Sequence, residues 1–269
     1  MSTALRRFAV GLEYDGTRYA GWQLQPGLPT IQDCLQQALS SVADHPVSAV
    51  AAGRTDAAVH ATGQVAHFDT TADRPLRGWV LGANRELPPD IALNWAIEVD
   101  RDFHARYTAQ ARSYRYCLLQ RATRPALLRD RVCWVRADLN VAAMHEAAQA
   151  LVGEHDFSSF RAVECQSPTA KRHVDAIVVS GDGALVTIEA TANAFLHHMV
   201  RNIAGSLIQV GEGKRSPNWI GQILAARDRS RAGVTAPAAG LYLWKVRYPA
   251  SLQVPDLVPA RPWAMIAGA

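Results

Sequence analysis

The sequence predicts an α+β protein of two like halves, and three observations predict it. Residues 7 to 99 read in the order strand, helix, strand, strand, helix, strand. The same order then returns, without a clear sequence repeat, from about residue 103 to residue 249. The apolar spacing alternates between a two-residue period and a helical period along the whole chain. A chain of 269 residues is long enough for two such units with real cores.

The first strand covers Arg7 to Tyr14, where Phe8, Val10 and Leu12 alternate with Ala9, Gly11 and Glu13. Asp15-Gly16 turns it. An irregular, partly aromatic loop follows through Gly21-Trp22-Gln23 to Pro29. Thr30 caps a helix, with Asp33 at the third position as a rough capping box. Ile31, Leu35, Ala38, Leu39 and Val42 form its buried stripe. A strand from Val47 ends at Gly53, and Gln64 to Phe68 alternates as the next, so Arg54 to Gly63 reads as the loop between them. Pro75 opens a second helix with Leu76, Val80 and Ala83 on one side, and Ile91 to Val99 is a strand. This order is the split βαβ, or ferredoxin-like, arrangement: an antiparallel sheet with both helices on one face.

In the second half Ala111 to Leu119 alternates around Tyr114 and Tyr116. Asp138 caps a helix running through Val152. Val174 to Val179 and Leu185 to Ala190 are strands joined at Gly181-Asp182-Gly183. His197 to Val210 and Ser216-Pro217 to Ala226 are helices, and Leu241 to Tyr248 is the last strand. The expected division is residues 1–102, residues 103–249 and a Pro- and Ala-rich tail over 250–269, whose Trp263-Ala264-Met265-Ile266 is apolar.

Composition excludes several classes. No apolar run approaches the roughly twenty residues of a membrane span, and the N-terminus enters a strand rather than a signal-peptide core, so the expected location is the cytoplasm. Cys34, Cys117, Cys133 and Cys165 include no C-x-x-C pair and read as buried, reduced thiols. The net charge of +4 permits a nucleic-acid partner, and arginine, the better phosphate fork, heavily outnumbers lysine. His60, His67, His104, His197 and His198 lack the H-x-x-x-H spacing, and adjacent His197 and His198 would point to different faces of a helix, so no metal site is expected. Gly211-Glu212-Gly213-Lys214-Arg215 lacks the spacing of a phosphate loop and reads as a helix C-terminal turn.

The chemistry concentrates in Gly53-Arg54-Thr55-Asp56-Ala57-Ala58-Val59-His60-Ala61. A cation, a hydroxyl, a carboxylate and an imidazole fall within seven residues of one loop, although most loop aspartates only cap a turn. The segment resembles the G-R-T-D-A-G-V-H-A signature of the TruA-type tRNA pseudouridine synthases. Four further segments carry the same resemblance: Glu13-Tyr14-Asp15-Gly16 with Gly21-Trp22-Gln23, Phe103-His104-Ala105-Arg106 with Tyr114-Arg115-Tyr116, Asp156-Phe157-Ser158-Ser159-Phe160, and Phe195 to Asn202. With Gly240-Leu241-Tyr242-Leu243 the likeness spans about residues 6 to 249.

The resemblance implies a cofactor-free isomerase acting on uridines 38, 39 and 40 of the anticodon stem-loop of tRNA. Asp56 is the catalytic carboxylate, and Arg201 is the cation that keeps it ionised where burial would otherwise protonate it. Tyr114 stacks on the uracil, and Arg54 meets the RNA at the flipped nucleotide. His60 and Gln64 fall among the substrate-binding residues. A homodimer is implied, with the sheets of the two halves meeting in a central active-site cleft. One position departs: Ala58 stands where the family typically has glycine. If that glycine serves a positive φ, alanine strains the loop by about 1 kcal/mol; if it serves only as a small side chain, alanine is harmless. The rival readings are a tRNA-binding protein that has lost catalysis, which Ala58 favours, and a metal-dependent phosphohydrolase using the histidines.

Overall fold

A computed structural model describes residues 4–256, and Trp263-Ala264-Met265-Ile266 lies outside the described residues. The chain divides into two compact units. Among the described residues, one runs through Arg112 and takes back residues 243–256; the other is Ser113–Tyr242. Phe103 and Ala105, expected in the second half, share a core with Ala9, Ala52, Val65 and Tyr248, against which Leu252 and Val254 also pack. This apolar cluster carries the first unit past the expected boundary at Asp102.

In the first unit the elements are β1 (Arg6–Tyr14), α1 (Ile31–Ala43), β2 (Ala49–Ala51), β3 (His60–Thr70), α2 (Leu76–Glu86) and β4 (Ile91–Val99). The sheet runs β4-β1-β3 with antiparallel pairing, and β2 also pairs antiparallel with β3. Phe8 on β1 opposes Phe68 on β3, and both rings pack against Trp79 of α2. The Thr30 hydroxyl accepts from the Asp33 amide, which starts α1 where expected. Two expectations change. The apolar side of α2 is Trp79 and Ala83, while Leu76 stays exposed. β3 begins at His60, four residues before the expected Gln64, so the loop is shorter than the sequence suggests.

In the second unit the chain forms β5 (Ala111–Gln120, starting just before the division), β6 (Cys133–Val135), α3 (Val141–Ala148), β7 (Gly153–Asp156), β8 (Lys171–Asp182), β9 (Leu185–Ala192), α4 (Met199–Gly211) and α5 (Trp219–Ala226). β10 (Leu241–Arg247) then returns to the first unit, beside β3. The second unit's order is β5-β9-β8-β7, with β6 parallel to β5. The cap of α3 is Asn140, whose side chain accepts from the Ala143 amide, rather than Asp138. α4 begins at Met199, because His198 takes a left-handed backbone (φ 59°). His197 and His198 thus precede the helix, and their rings stack at 4.0 Å instead of pointing to different helix faces. At its other end α4 closes through the Gly213 amide on Val210 O, as a C-terminal turn. Among the described residues no helix is long and apolar enough to cross a membrane.

Candidate active site

The loop carrying Asp56 has little structure of its own. Within it the Val59 amide donates to Asp56 O (3.2 Å), a turn with Ala57 and Ala58 at its centre. Ala58 has φ 59°, the left-handed second centre that a type II turn gives to glycine. The first of the two alternatives for this position therefore holds, and alanine strains the turn by about 1 kcal/mol.

The segment after β1 holds the loop in place. The Trp22 amide donates to Thr55 O (3.0 Å), and the Ala58 amide donates to Tyr19 O (3.2 Å). The Tyr14 hydroxyl and Thr55 Oγ1 share a buried bond of 2.8 Å. Gly21, at φ 100°, lies directly against the peptide after Thr55: a Cβ there would stand 2.7 Å from Thr55 O and 3.0 Å from Asp56 C. Gly16 is pressed more closely still onto Val59 O, which would stand 2.0 Å from a Cβ there. The two glycines of the first motif are thus the surfaces on which the catalytic-type motif rests. Asp56 itself is half-buried, and Arg54 beside it is exposed.

His60 and Gln64 were expected to touch substrate. The structure buries them at 2% and 0% exposure, inside the frame. Gln64 Nε2 donates to Gly53 O (2.7 Å) and to the Tyr14 hydroxyl (3.4 Å), and its Oε1 accepts from the Val65 amide (3.2 Å). His60 Nδ1 stands 3.1 Å from the Gly16 amide and 3.2 Å from Asp15 Oδ1. It accepts from the first without a proton or serves the second with one. Burial raises the Asp15 carboxyl, but hydrogen bonds from His60 and Thr17 outweigh it and hold the group well below the usual carboxylate range. Both side chains position the loop.

The second unit orients an arginine by different means. Arg201 sits in the first turn of α4, and its Nε donates to Ala236 O (2.8 Å) while Arg201 O accepts from the Ala236 amide (3.1 Å). The neighbouring Pro237 O accepts from the Tyr116 hydroxyl (2.8 Å). Burial pushes the Tyr116 phenol well above its ordinary value, against the opposing charge of Arg201. Asn202, fully buried, fixes the segment that presents Ala236. Its Nδ2 donates to Phe160 O (2.8 Å), and its Oδ1 accepts from Arg229 Nη2 (3.0 Å) and the Thr235 hydroxyl (2.7 Å). Gly205 approaches Val234 O so closely that a Cβ would stand 1.8 Å from it.

The motif at Asp156 lies under the same helix. Asp156 accepts from the Ser158 amide and hydroxyl, and buried Ser159 bridges Ile223 O and the Asp228 amide. Tyr114, on β5, is 8% exposed and meets Phe195 edge to face at 5.0 Å. Asn202, Arg229 and Ala236 escaped sequence reasoning. The one signal for Asn202 was an amide among the apolar positions of a helix.

Comparison with known proteins decides the family. The sequence model of tRNA pseudouridine synthases matches residues 12–108 and 147–249. This chain belongs to that family. A tRNA pseudouridine synthase A of Aeromonas hydrophila is 54% identical over 251 residues, covering 93% of each chain. Its counterpart in Photorhabdus laumondii is 52% identical, covering 94% of this chain and 96% of the relative. The Vibrio cholerae protein of the same name is 51% identical over 93% of this chain and 95% of its own. Within this family, the close packing of Gly16 and Gly21 under the aspartate loop becomes intelligible. Glycine there lets two backbones touch and fixes where the carboxylate stands.

Proposed function

We propose that this chain converts uridine to pseudouridine in the anticodon stem-loop of tRNA, at positions 38, 39 and 40. The reaction breaks the bond from ribose C1′ to uracil N1 and forms one from C1′ to C5. N1 gains a hydrogen, C5 loses its own as a proton, and nothing is oxidised or hydrolysed. No cofactor enters that balance. The observation that carries the reading is the Arg54-Thr55-Asp56 loop, held rigidly by the Tyr14 to Trp22 segment in a chain of this family.

In this reading Asp56 supplies the carboxylate. It attacks C1′ to give a glycosyl ester, or it takes the C2′ proton to leave a glycal; both routes balance. Arg201, its Nε already held on Ala236, keeps the carboxylate ionised. Tyr114 stacks on the uracil, and Arg54 holds the nucleotide out of the helix. His60 and Gln64 keep the loop in place. The finer fold reading, two ferredoxin-like halves, rests on the order β4-β1-β3 with β2 on β3 in the first unit and on the similar element order of the second. The resemblance further gives a cytoplasmic homodimer free of metal.

A second reading, tRNA binding without catalysis, is favoured by Ala58. The magnitude decides against it. A strain of about 1 kcal/mol is offset by several hydrogen bonds holding the loop, each worth about as much. The test is to incubate the protein, without metal or cofactor, with tRNA transcripts carrying uridine at single anticodon-arm positions and to map pseudouridine. Product at 38, 39 or 40 is expected. Binding without product at any site would establish the second reading.

A further inference from the structure

Three rings run outward from the interior of the first unit. His67 on β3 is 5% exposed, His104 is half-buried, and Tyr107 is 76% exposed. Their centroids are spaced 4.7 Å and then 4.3 Å. Each step is fixed by backbone. His67 Nδ1 accepts from the Ala105 amide (3.1 Å), and His104 Nδ1 accepts from the amides of both Arg106 and Tyr107 (3.2 Å each). Two donors on Nδ1 leave the proton on Nε2 and hold the ring still. Burial, aided by Arg7, lowers the pKa of both histidines, so the column under Tyr107 is a stack of neutral rings.

The turn that carries Tyr107 is pinned as well. Arg112 Nη2 donates to Arg106 O and to Ala52 O, and the Tyr248 hydroxyl donates to Ala105 O (2.6 Å). Tyr107 is therefore a large ring held against an ordered support and left in water. The Arg106 guanidinium lies over the ring, 5.6 Å from its centroid, in a cation–π contact that a base would share or displace. An aromatic face beside a cation suits a nucleobase next to its phosphate. It suits a core residue poorly, since such residues bury their rings.

Resting on the tRNA reading above, we propose that Tyr107 is a stacking platform for one unpaired base of the bound tRNA, with Arg106 at the adjoining phosphate. The anticodon arm offers such bases, and unstacked bases are what proteins read in single-stranded RNA.

The test is binding of fluorescent tRNA at a series of salt concentrations, with wild type, Tyr107→Ala, Tyr107→Phe and Arg106→Ala. Loss of one base–aromatic stack raises Kd roughly 5- to 150-fold in Tyr107→Ala. Its salt slope stays that of wild type, since no phosphate contact is lost. Tyr107→Phe binds within about twofold of wild type, because a ring is all that stacking requires. Arg106→Ala flattens the slope by about one unit. Unchanged affinity of Tyr107→Ala overturns the proposal, as does Tyr107→Phe binding as weakly as Tyr107→Ala. A fall in molar mass of Tyr107→Ala by light scattering overturns it too, by placing the ring against a second copy. A wild type that isomerises tRNA while Tyr107→Ala binds normally refutes the platform alone. A wild type that neither binds nor isomerises refutes the tRNA reading along with it.

Discussion

The loop carrying Asp56 and the helix carrying Arg201 are held by opposite means. The loop takes its shape from a neighbouring segment, through backbone contacts at Gly16 and Gly21 and hydroxyl contacts at Tyr14. The helix has its own ladder of bonds and needs only to be aimed, which Ala236 does through a segment fastened at a few buried side chains, Asn202, Ser206 and Tyr116. A loop held from outside distributes its support over many weak contacts. A helix aimed by one segment concentrates support in few residues. Damage should therefore be graded in the first unit and abrupt in the second.

Asn202→Ala is the severest break. It strips partners from Phe160 O, Arg229 and the Thr235 hydroxyl in a fully buried site, at a cost of about 2–4 kcal/mol. Urea unfolding measures this directly, and tRNA isomerisation should fall further than stability as Ala236 and Arg201 shift. Gly21→Ala comes next, at about 2 kcal/mol, because the residue is both left-handed and in contact with Thr55 O. Here kcat should fall more than tRNA affinity, and an unchanged kcat would show that the loop does not depend on Gly21.

The first unit also has a pH signature. Burial first, then the charge of Arg7, lowers His67 to about 4 from its ordinary 6.5. The unfolded chain takes up this proton first, so stability is full above pH 6.5 and is lost as pH falls from 6.5 toward 4. Allowing for partial solvation, the slope is at most about 1 kcal/mol per pH unit. Melting temperature against pH should show it, and His67→Gln should flatten it. Ala58→Gly gives the smallest effect and sharpens the contrast, because it improves the loop. Relief of the left-handed alanine should stabilise by about 0.5–1 kcal/mol without loss of activity.

What the sequence made legible was local. Alternation placed β1 and β4, and a threonine followed by an aspartate three residues on placed the start of α1. The aspartate loop was visible as an improbable concentration of chemistry. The non-local part was hidden. Gly16 looked like a turn residue and Gly21 like part of an irregular loop, although both let one backbone lie on another more than thirty residues away. His60 and Gln64 were expected among the substrate-binding residues, and the sequence did not show that both are buried, at 2% and 0% exposure, with partners around the loop. β6 and β7 went unseen because three- and four-residue strands carry too little pattern. The φ of Ala58 was undecided, since one sequence holds both explanations for the missing glycine.

The most direct test of the account is tritium release from tRNA labelled at uracil C5, compared between wild type and Asp56→Ala, with tRNA binding measured on both. Wild type should release tritium without metal or cofactor. Asp56→Ala should bind tRNA as wild type does and release nothing above background, since in the proposed reaction Asp56 is the group that attacks C1′ or takes the C2′ proton. Release by Asp56→Ala at a measurable fraction of the wild-type rate would contradict the account and place the catalytic group elsewhere.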